Sequence, residues 1–521
     1  MTRAVQLLLA LASTLVSSRS TVDLYSVFLS MEGDTLVTVM EFTGVQGSDR
    51  LLSRISRGFD PSTQAVRLET ADMGTTAEDM HRVPAWSVDT LTGGGGWRRS
   101  LVTAFPNLRE GMAVHYRVAV RDWSGNWSRG AWAVLSPRLK GIVPDSCVFS
   151  FSEGMMEGLE WSGEGYRMSS RGGAVSFTAA DPSGELVVTP FTDCRGLSEF
   201  LLSEAESVLA EPFPPDLREA ALQATSAGAD GYAQSMRARS LLCNSISPER
   251  VMNGSRVNRC RGLQEILDSR KATPLEMAAV YTAVCRELGM EAIIVPAGGG
   301  NYGIPVPSGW NRYLVRITSS EGDSWFAEPS AYLSPASWIP GADTLSVILG
   351  GERAAMPSPG PSASRCRELW RVDALSGTFR LELDCSGWFD MSLRRRTAGL
   401  TEEEVALGLA EWCWLSGRTV VPDTLSHGDP FALDEAMALT AEGRLWEPVT
   451  GTDDLVEVLP ALLWPGADSL EVTLERQWTI SGASRAWPGE GADVRREGNL
   501  LVLTDSSGTS GPLPVLLKVL R

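Results

Sequence analysis

Histidine is almost missing from this sequence. Three occur in 521 residues, His81, His115 and His427, and none falls between residues 196 and 350. Imidazole is the side chain whose ordinary pKa lies nearest neutral pH, so base catalysis and imidazole-rich metal binding have few places to stand. No His-Glu-x-x-His and no Cys-x-x-Cys occurs, which removes the helical zinc-peptidase motif, zinc ribbons and thioredoxin-type redox sites. No metal and no cofactor is expected. The run Gly93–Gly96 lacks a following Gly-Lys-Ser/Thr and reads as a flexible loop, not a phosphate cradle. No apolar run reaches the ~20 residues that span a bilayer, so the chain is not expected to cross a membrane. The net charge of −18, spread without an acidic block or tail, repels phosphate backbones and makes nucleic acid an improbable partner.

What is present points to export and to several domains. Arg3, the mostly apolar run Val5–Val16 and the small residues Ser17, Ser18 and Ser20 form a secretory signal pattern. The expected location is therefore extracytoplasmic, periplasmic or secreted, after removal of residues 1–20. Eight cysteines, at 147, 194, 243, 260, 285, 366, 385 and 413, permit disulfides in such a compartment. Cys147 with Cys194, Cys243 with Cys260, and Cys366 with Cys385 are near in sequence, but spacing does not fix connectivity, and buried free thiols are an equal alternative. Seventeen tryptophans read first as strand and turn packing in β domains, and second as an aromatic platform for sugar or peptide.

At roughly 100–200 residues per domain, the length suggests about three domains. Residues 21–195 read as β, with Val22–Phe28, Thr35–Phe42 and Ala113–Arg121 as strands. Residues 196–352 begin with helical patterns at Leu197–Leu209, Leu217–Ala227, Ala233–Cys243 and Leu263–Leu267. The segment Lys271–Gly289 follows, with Thr273 as N-cap, Pro274 at the first helical position, Glu276 completing a capping box and Gly289 as stop. Apolar residues cover most of its faces, so this helix is expected to be central and buried. Strands are expected at Glu291–Ala297, Tyr313–Thr318 and Ser324–Ala327. Residues 353–366 read as a linker rich in Pro and Ser. Residues 367–521 are mainly β, with strands at Thr378–Leu383, Leu470–Trp478, Leu500–Thr504 and Leu513–Val519 and one helix, Thr401–Trp414. The fold class expected is α+β multidomain: an N-terminal β-sandwich-like domain, a central α+β domain, and a C-terminal mainly-β domain.

The order of these segments resembles exported bacterial transglutaminase-like proteins that carry an uncharacterised β domain before, and a β domain after, a papain-like central domain. The resemblance rests on Phe105–Gly111 followed by the Ala113–Arg121 strand, and on the Lys271–Gly289 helix ending in Arg286-x-x-Gly289. It rests further on Asn311-Arg312-Tyr313-Leu314-Val315 and on Trp325-Phe326-Ala327-Glu328-Pro329-Ser330. It implies a Cys–His–Asp triad, with the cysteine at the helix N-terminus where the dipole favours thiolate. The matching positions are Pro274, Arg312 and Glu328. Proline has no thiol, and arginine stays protonated and cannot act as a base. Cys285 lies about three turns down the helix and reads as a buried core thiol. The resemblance thus implies a degenerate site.

The remaining constellations have structural readings. Gly298–Gly303 matches the dinucleotide spacing, but Pro305 and Pro307 block the helix such a site needs. His115 reads as a satisfied strand histidine, and His427 as an exposed loop residue. Asp453-Asp454 is a turn or helix start, and Glu402–Glu404 is charge favoured by a helix N-terminus. Asn126 and Asn253 open glycosylation sequons, relevant only in a eukaryotic secretory pathway. The function expected is that of a non-catalytic binding or structural module in the cell envelope, with peptide or envelope polymer as ligand class. The alternative is an active cysteine-type amide hydrolase or acyltransferase that uses Cys285 with a histidine from another domain, such as His427. Sequence does not assign an oligomeric state.

Overall fold

The structure, a computed structural model, describes residues 19–519 apart from breaks at 60, 77–78, 84–85, 92–97, 125–131, 181, 183, 226–229, 250–259, 299–301, 335–338, 357–363, 374–375, 415–418, 434, 447–454, 458–460, 463–472, 482, 489–491, 498 and 506–514. The signal segment up to residue 18, the Gly93–Gly96 run, both sequons, Asp453-Asp454 and the middle of the linker lie outside the described residues. The chain is multidomain and mostly β. Among the described residues there are seven α-helices, none long and apolar enough to cross a membrane.

The N-terminal part is built on an eight-stranded sheet. Its order is Arg167–Arg171, Ala174–Ala180, Ser146–Phe151, Thr21–Glu32, Thr35–Val45, Ala113–Asp122, Gln64–Gly74 and His81–Arg82. Thr21–Glu32 runs parallel to Ser146–Phe151 and antiparallel to Thr35–Val45. The alternation read in Ala113–Arg121 is real: Val114, Tyr116, Val118 and Val120 are buried. Tyr25, Phe42, Tyr116, Phe149 and Phe177 pack here with Ile55 and Leu101 from a separate three-stranded sheet.

The central part carries helices α1 (Cys194–Ala210), α2 (Pro215–Thr225), α3 (Gly231–Ser245), α4 (Leu263–Ser269) and α5 (Pro274–Glu287). They pack on an antiparallel five-stranded sheet ordered Ser324–Ala327, Arg312–Thr318, Glu291–Gly298, Ser346–Leu349 and Glu352–Ala355. The last two strands had no clear sequence signal, and Glu352–Ala355 occupies the start of the stretch read as linker. Helix α5 is the centre of this core, burying ten of its fourteen residues. Both halves of the Thr273/Glu276 capping box form. Gly298 needs to be glycine because the chain returns against it: a Cβ there would stand 1.8 Å from the Gly309 carbonyl oxygen. Close backbone approach, not a nucleotide, explains that residue.

The C-terminal part holds a seven-stranded sheet ordered Thr419–His427, Met437–Trp446, Thr378–Cys385, Arg365–Asp373, Thr473–Ser481, Leu500–Asp505 and Ala492–Glu497. Its core is one cluster around Trp370, Trp478 and Leu503. It carries two helices where one was expected: α6 (Trp388–Thr397) and α7 (Glu402–Trp412). Helix α6 escapes a pattern reading because its buried face contains an ion pair, Asp390 with Arg394, one turn apart. Three arginines in its last turn complement the helix dipole.

The two outer parts share one topology. In each, the first strand pairs antiparallel with the second and parallel with the fifth of seven corresponding strands. The chain-order match runs Thr21–Glu32 with Arg365–Asp373, Thr35–Val45 with Thr378–Cys385, Gln64–Gly74 with Thr419–His427, and Ala113–Asp122 with Met437–Trp446. It continues with Ser146–Phe151 and Thr473–Ser481, Arg167–Arg171 and Ala492–Glu497, and Ala174–Ala180 and Leu500–Asp505. The matched pairs Gln64–Gly74/Ala113–Asp122 and Thr419–His427/Met437–Trp446 each carry a register shift, at Leu68/Thr70 and Pro422/Thr424. Even the small sheets agree: Glu160–Ser162, Leu186–Thr189, Ala133–Leu135 in one, and Ala483–Pro488, Val515–Val519, Leu455–Glu457 in the other. The chain is a β module, a helical insert with its own sheet, and the β module again.

Candidate functional site

The head of α5 is where the helix dipole would favour a thiolate. Pro274 stands at the first helical position and is half-buried. Behind it Glu276 turns back to the cap, accepting from the Thr273 amide at 2.8 Å. Arg261 closes on the same carboxylate three times, from its backbone amide at 2.9 Å, from Nε at 2.9 Å and from Nη2 at 2.7 Å. Glu249 stands 3.4 Å from the guanidinium. Burial alone would raise the Glu276 carboxyl, but the bonds from Arg261 and Thr273 outweigh it and hold it below its usual range. The positive end of the helix is thus already neutralised by a buried side chain.

The other two positions have joined each other. Arg312 begins the strand Arg312–Thr318, and Glu328 follows the neighbouring strand Ser324–Ala327. The guanidinium grips the carboxylate bidentately, with Nε donating to Oε1 at 2.8 Å and Nη2 to Oε2. Nη1 donates to the Pro340 carbonyl at 2.7 Å. Glu328 is buried and Arg312 is mostly so. Where a triad would place a base and its orienting carboxylate on adjacent strands, these strands hold a closed fork-to-fork ion pair.

Neither cysteine of the helix α5 region, Cys285 or Cys260, is an activated thiol. Cys285 is 0% exposed inside the central core, and burial pushes its thiol up to about 12 against a weaker opposing effect of Tyr281. His427 sits on the C-terminal sheet with Nδ1 2.7 Å from the Gly428 oxygen. It is half-buried, not exposed as the sequence suggested, and its Nε2 is buried without a partner. Cys285 and His427 belong to different cores and are not brought together. Cys260, read from sequence only as a possible disulfide partner of Cys243, precedes Arg261 at the helix head. Burial raises its thiol first, then Glu276 and Glu204 add to the effect, outweighing Arg261. That environment is the reverse of the cationic one a nucleophilic cysteine needs. All eight cysteines are free.

His115 bonds Glu41 at 2.7 Å, and Arg117 joins that carboxylate to Glu69. Its role is a cross-strand hydrogen-bond network. Among the described residues no three His, Cys, Asp or Glu side chains gather as metal ligands.

Two fully buried arginines, neither legible from sequence, brace the loops at which the central and C-terminal parts meet. Arg239 of α3 donates to the carbonyls of Ser334, Glu328 and Ala331 at 2.6, 2.8 and 2.7 Å. Arg394 of α6 donates to those of Asp429, Pro430, Ala432 and Glu435. The two loops so held meet: the Arg395 Nε donates to the Tyr332 oxygen, the Leu433 amide to the Ser240 hydroxyl, and Cys243, Leu333 and Leu433 form a shared apolar contact. Two grooves of about 750 and 710 Å³ flank the C-terminal sheet, and no tryptophan lines either. Trp310, Trp370 and Trp478 are buried, while Trp86 and Trp123 stand exposed on the N-terminal part.

No family description and no curated protein matches the chain. Among solved structures it is similar to a protein from Parabacteroides distasonis described as a "putative protease", at TM-score 0.59 and 11% identity over 97% of this chain and 94% of that one. That likeness extends the three-part architecture over the full length and speaks to fold alone. A Deinococcus radiodurans M1 zinc metallopeptidase overlaps 33% of this chain and 43% of its own, at 18% identity and a TM-score of 0.20, too slight to bear on the fold.

Proposed function

We propose that this chain is an exported protein whose central part is a degenerate transglutaminase-like, papain-like domain, working as a non-catalytic structural or binding module of the cell envelope. One observation carries the reading. The positions that resemblance assigns to Cys, His and Asp hold Pro274, Arg312 and Glu328, and the last two saturate one another in a bidentate pair. A site that keeps its scaffold while its reactive positions lock shut serves geometry better than turnover. The meeting of the two arginine-held loops of the central and C-terminal parts favours the structural arm. For the binding arm, peptide or envelope polymer remains the ligand class, and co-sedimentation of the full chain with isolated envelope polymer is its test.

The alternative, a cysteine-type amide hydrolase or acyltransferase, draws its support from the fold shared with a "putative protease". It needs a thiolate at neutral pH. The folded chain is therefore treated with iodoacetamide at pH 7 and assayed for amide hydrolysis and amine transfer. No turnover and slow, uniform labelling are expected. Turnover that disappears in Cys260→Ala or Cys285→Ala overturns the non-catalytic reading.

A further inference from the structure

The C-terminal sheet sets two thiols face to face. Cys366, near the start of Arg365–Asp373, and Cys385, the last residue of Thr378–Cys385, are direct partners in the antiparallel register. Their Sγ atoms lie 3.6 Å apart across 19 residues of sequence, and the side chains are 0% and 1% exposed. Directly opposed residues on antiparallel strands keep their Cα atoms about 4.5–5.5 Å apart, inside the roughly 4.4–6.8 Å that a disulfide spans. Side-chain rotation is enough to join the sulfurs, and the strands need not move. The other sequence-adjacent pairs are placed otherwise: Cys147 points its thiol at the Tyr166 hydroxyl, and Cys243 packs with Leu333 and Leu433.

We propose that Cys366 and Cys385 are a modification site that closes into a cross-strand disulfide when the chain folds in the presence of a small-molecule disulfide. One cysteine thiolate attacks the small disulfide, forming a mixed disulfide and releasing one reduced thiol. The second cysteine thiolate attacks the protein sulfur of that mixed disulfide and releases the other reduced thiol. Two electrons pass to the small disulfide, and the two cysteine protons end on the released thiols. The sheet then buries the bond. Once the reduced sheet has closed, both sulfurs are out of reach of solvent, so timing matters: oxidation accompanies folding and does not follow it. The inference is independent of the non-catalytic reading and of where the chain resides, since the test supplies its own redox conditions.

The full chain is unfolded and refolded in a glutathione/glutathione disulfide buffer, and in parallel under constant reductant. Both samples are acid-quenched, alkylated, digested and mapped by mass without reduction. A peptide containing Cys366 linked to one containing Cys385 is expected only in the oxidised sample, in which the melting transition of the C-terminal part rises by roughly 5–10 °C. Folded reduced protein exposed to the same buffer stays unlinked. The Cys366→Ala/Cys385→Ala variant melts alike in both buffers; should it not fold, the map of the unaltered chain decides by itself. Free alkylated Cys366 and Cys385 in the oxidised sample overturn the proposal. So does linkage of either one to Cys413, which shares their core.

Discussion

The Arg312–Glu328 pair is the point at which the reading is most exposed to experiment. Glu328 is 7% exposed and its carboxylate bonds run to Arg312, which is 25% exposed and also holds the Pro340 carbonyl. Replacing Arg312 by Met removes the fork and leaves a buried carboxylate, a loss of about 3–5 kcal/mol for a fully buried pair. Arg395 lies near enough to feel Glu328, so the expected cost is about 3 kcal/mol, the lower end of that range. Glu328→Leu strands an arginine that can turn to solvent, at about 1–2 kcal/mol. The double variant Arg312→Met/Glu328→Leu removes both charges and should fall within about 1 kcal/mol of the unaltered chain. The assay is native-state hydrogen exchange at amides of Arg312–Thr318, because urea midpoints of a multidomain chain mix several transitions. The coupling between the two sites should exceed roughly 2 kcal/mol. Single costs that simply add, within about 0.5 kcal/mol of the double, would refute the claim that the two residues form one closed unit.

Three further outcomes follow from the same geometry. Glu276 is held below its usual range, so the stability it supplies is complete above the unfolded carboxylate pKa of about 4.3 and is lost as pH falls through its folded pKa. Acid titration of the unaltered chain should therefore fall more steeply below that pH than Glu276→Gln, and parallel curves would count against the cap network. Gly298→Ala drives a methyl into the Gly309 carbonyl and should cost about 1–3 kcal/mol, read as faster hydrogen exchange at amides of Glu291–Gly298; unchanged exchange would mean the neighbouring loop yields freely. Thr273→Ala removes the buried N-cap of α5 and should cost about 1 kcal/mol, read as faster exchange in the first turn of that helix.

Legibility followed the range of the interactions. The start of α5 was readable because cap, proline and capping-box glutamate lie within four residues, and each acts on its immediate neighbours. The Ala113–Asp122 strand was readable because its burial alternates with period two. Arg261 was not, because its partner lies fifteen residues away and nothing local marks a guanidinium destined for the core. Arg239 and Arg394 were hidden for a related reason: their acceptors are backbone carbonyls, which every residue carries. The locked pair was half-visible. Sequence placed Arg312 and Glu328 at the right strand ends, but only the fold shows that they bind each other.

The repeated β module shows how little of such a plan needs to be written in residue identity. Thr21–Glu32 and Arg365–Asp373 occupy the same place in their sheets, yet one brings Tyr25 and Val27 to the core and the other Cys366, Trp370 and Val372, beside a buried Glu368 that pairs with Arg476. Alternating burial sets which face is apolar, and strand order is set by which edges remain to be paired; neither demands a particular side chain. The segments that differ between the copies are insertions: a three-stranded sheet formed by Arg54–Phe59, Trp86–Leu91 and Arg98–Ala104 in the first, helices α6 and α7 in the second. It is the second insertion that supplies Arg394, which holds the loop around Leu433, and Arg395, which donates to the Tyr332 carbonyl of the central part. The C-terminal copy thus meets the central part through the added Arg395 and through its own Leu433 loop, whose amide donates to the Ser240 hydroxyl. Removing the added contact, by Arg394→Met with Arg395→Met, should loosen the loops around Tyr332 and Leu433 in hydrogen exchange while leaving the matched strands of the N-terminal copy protected.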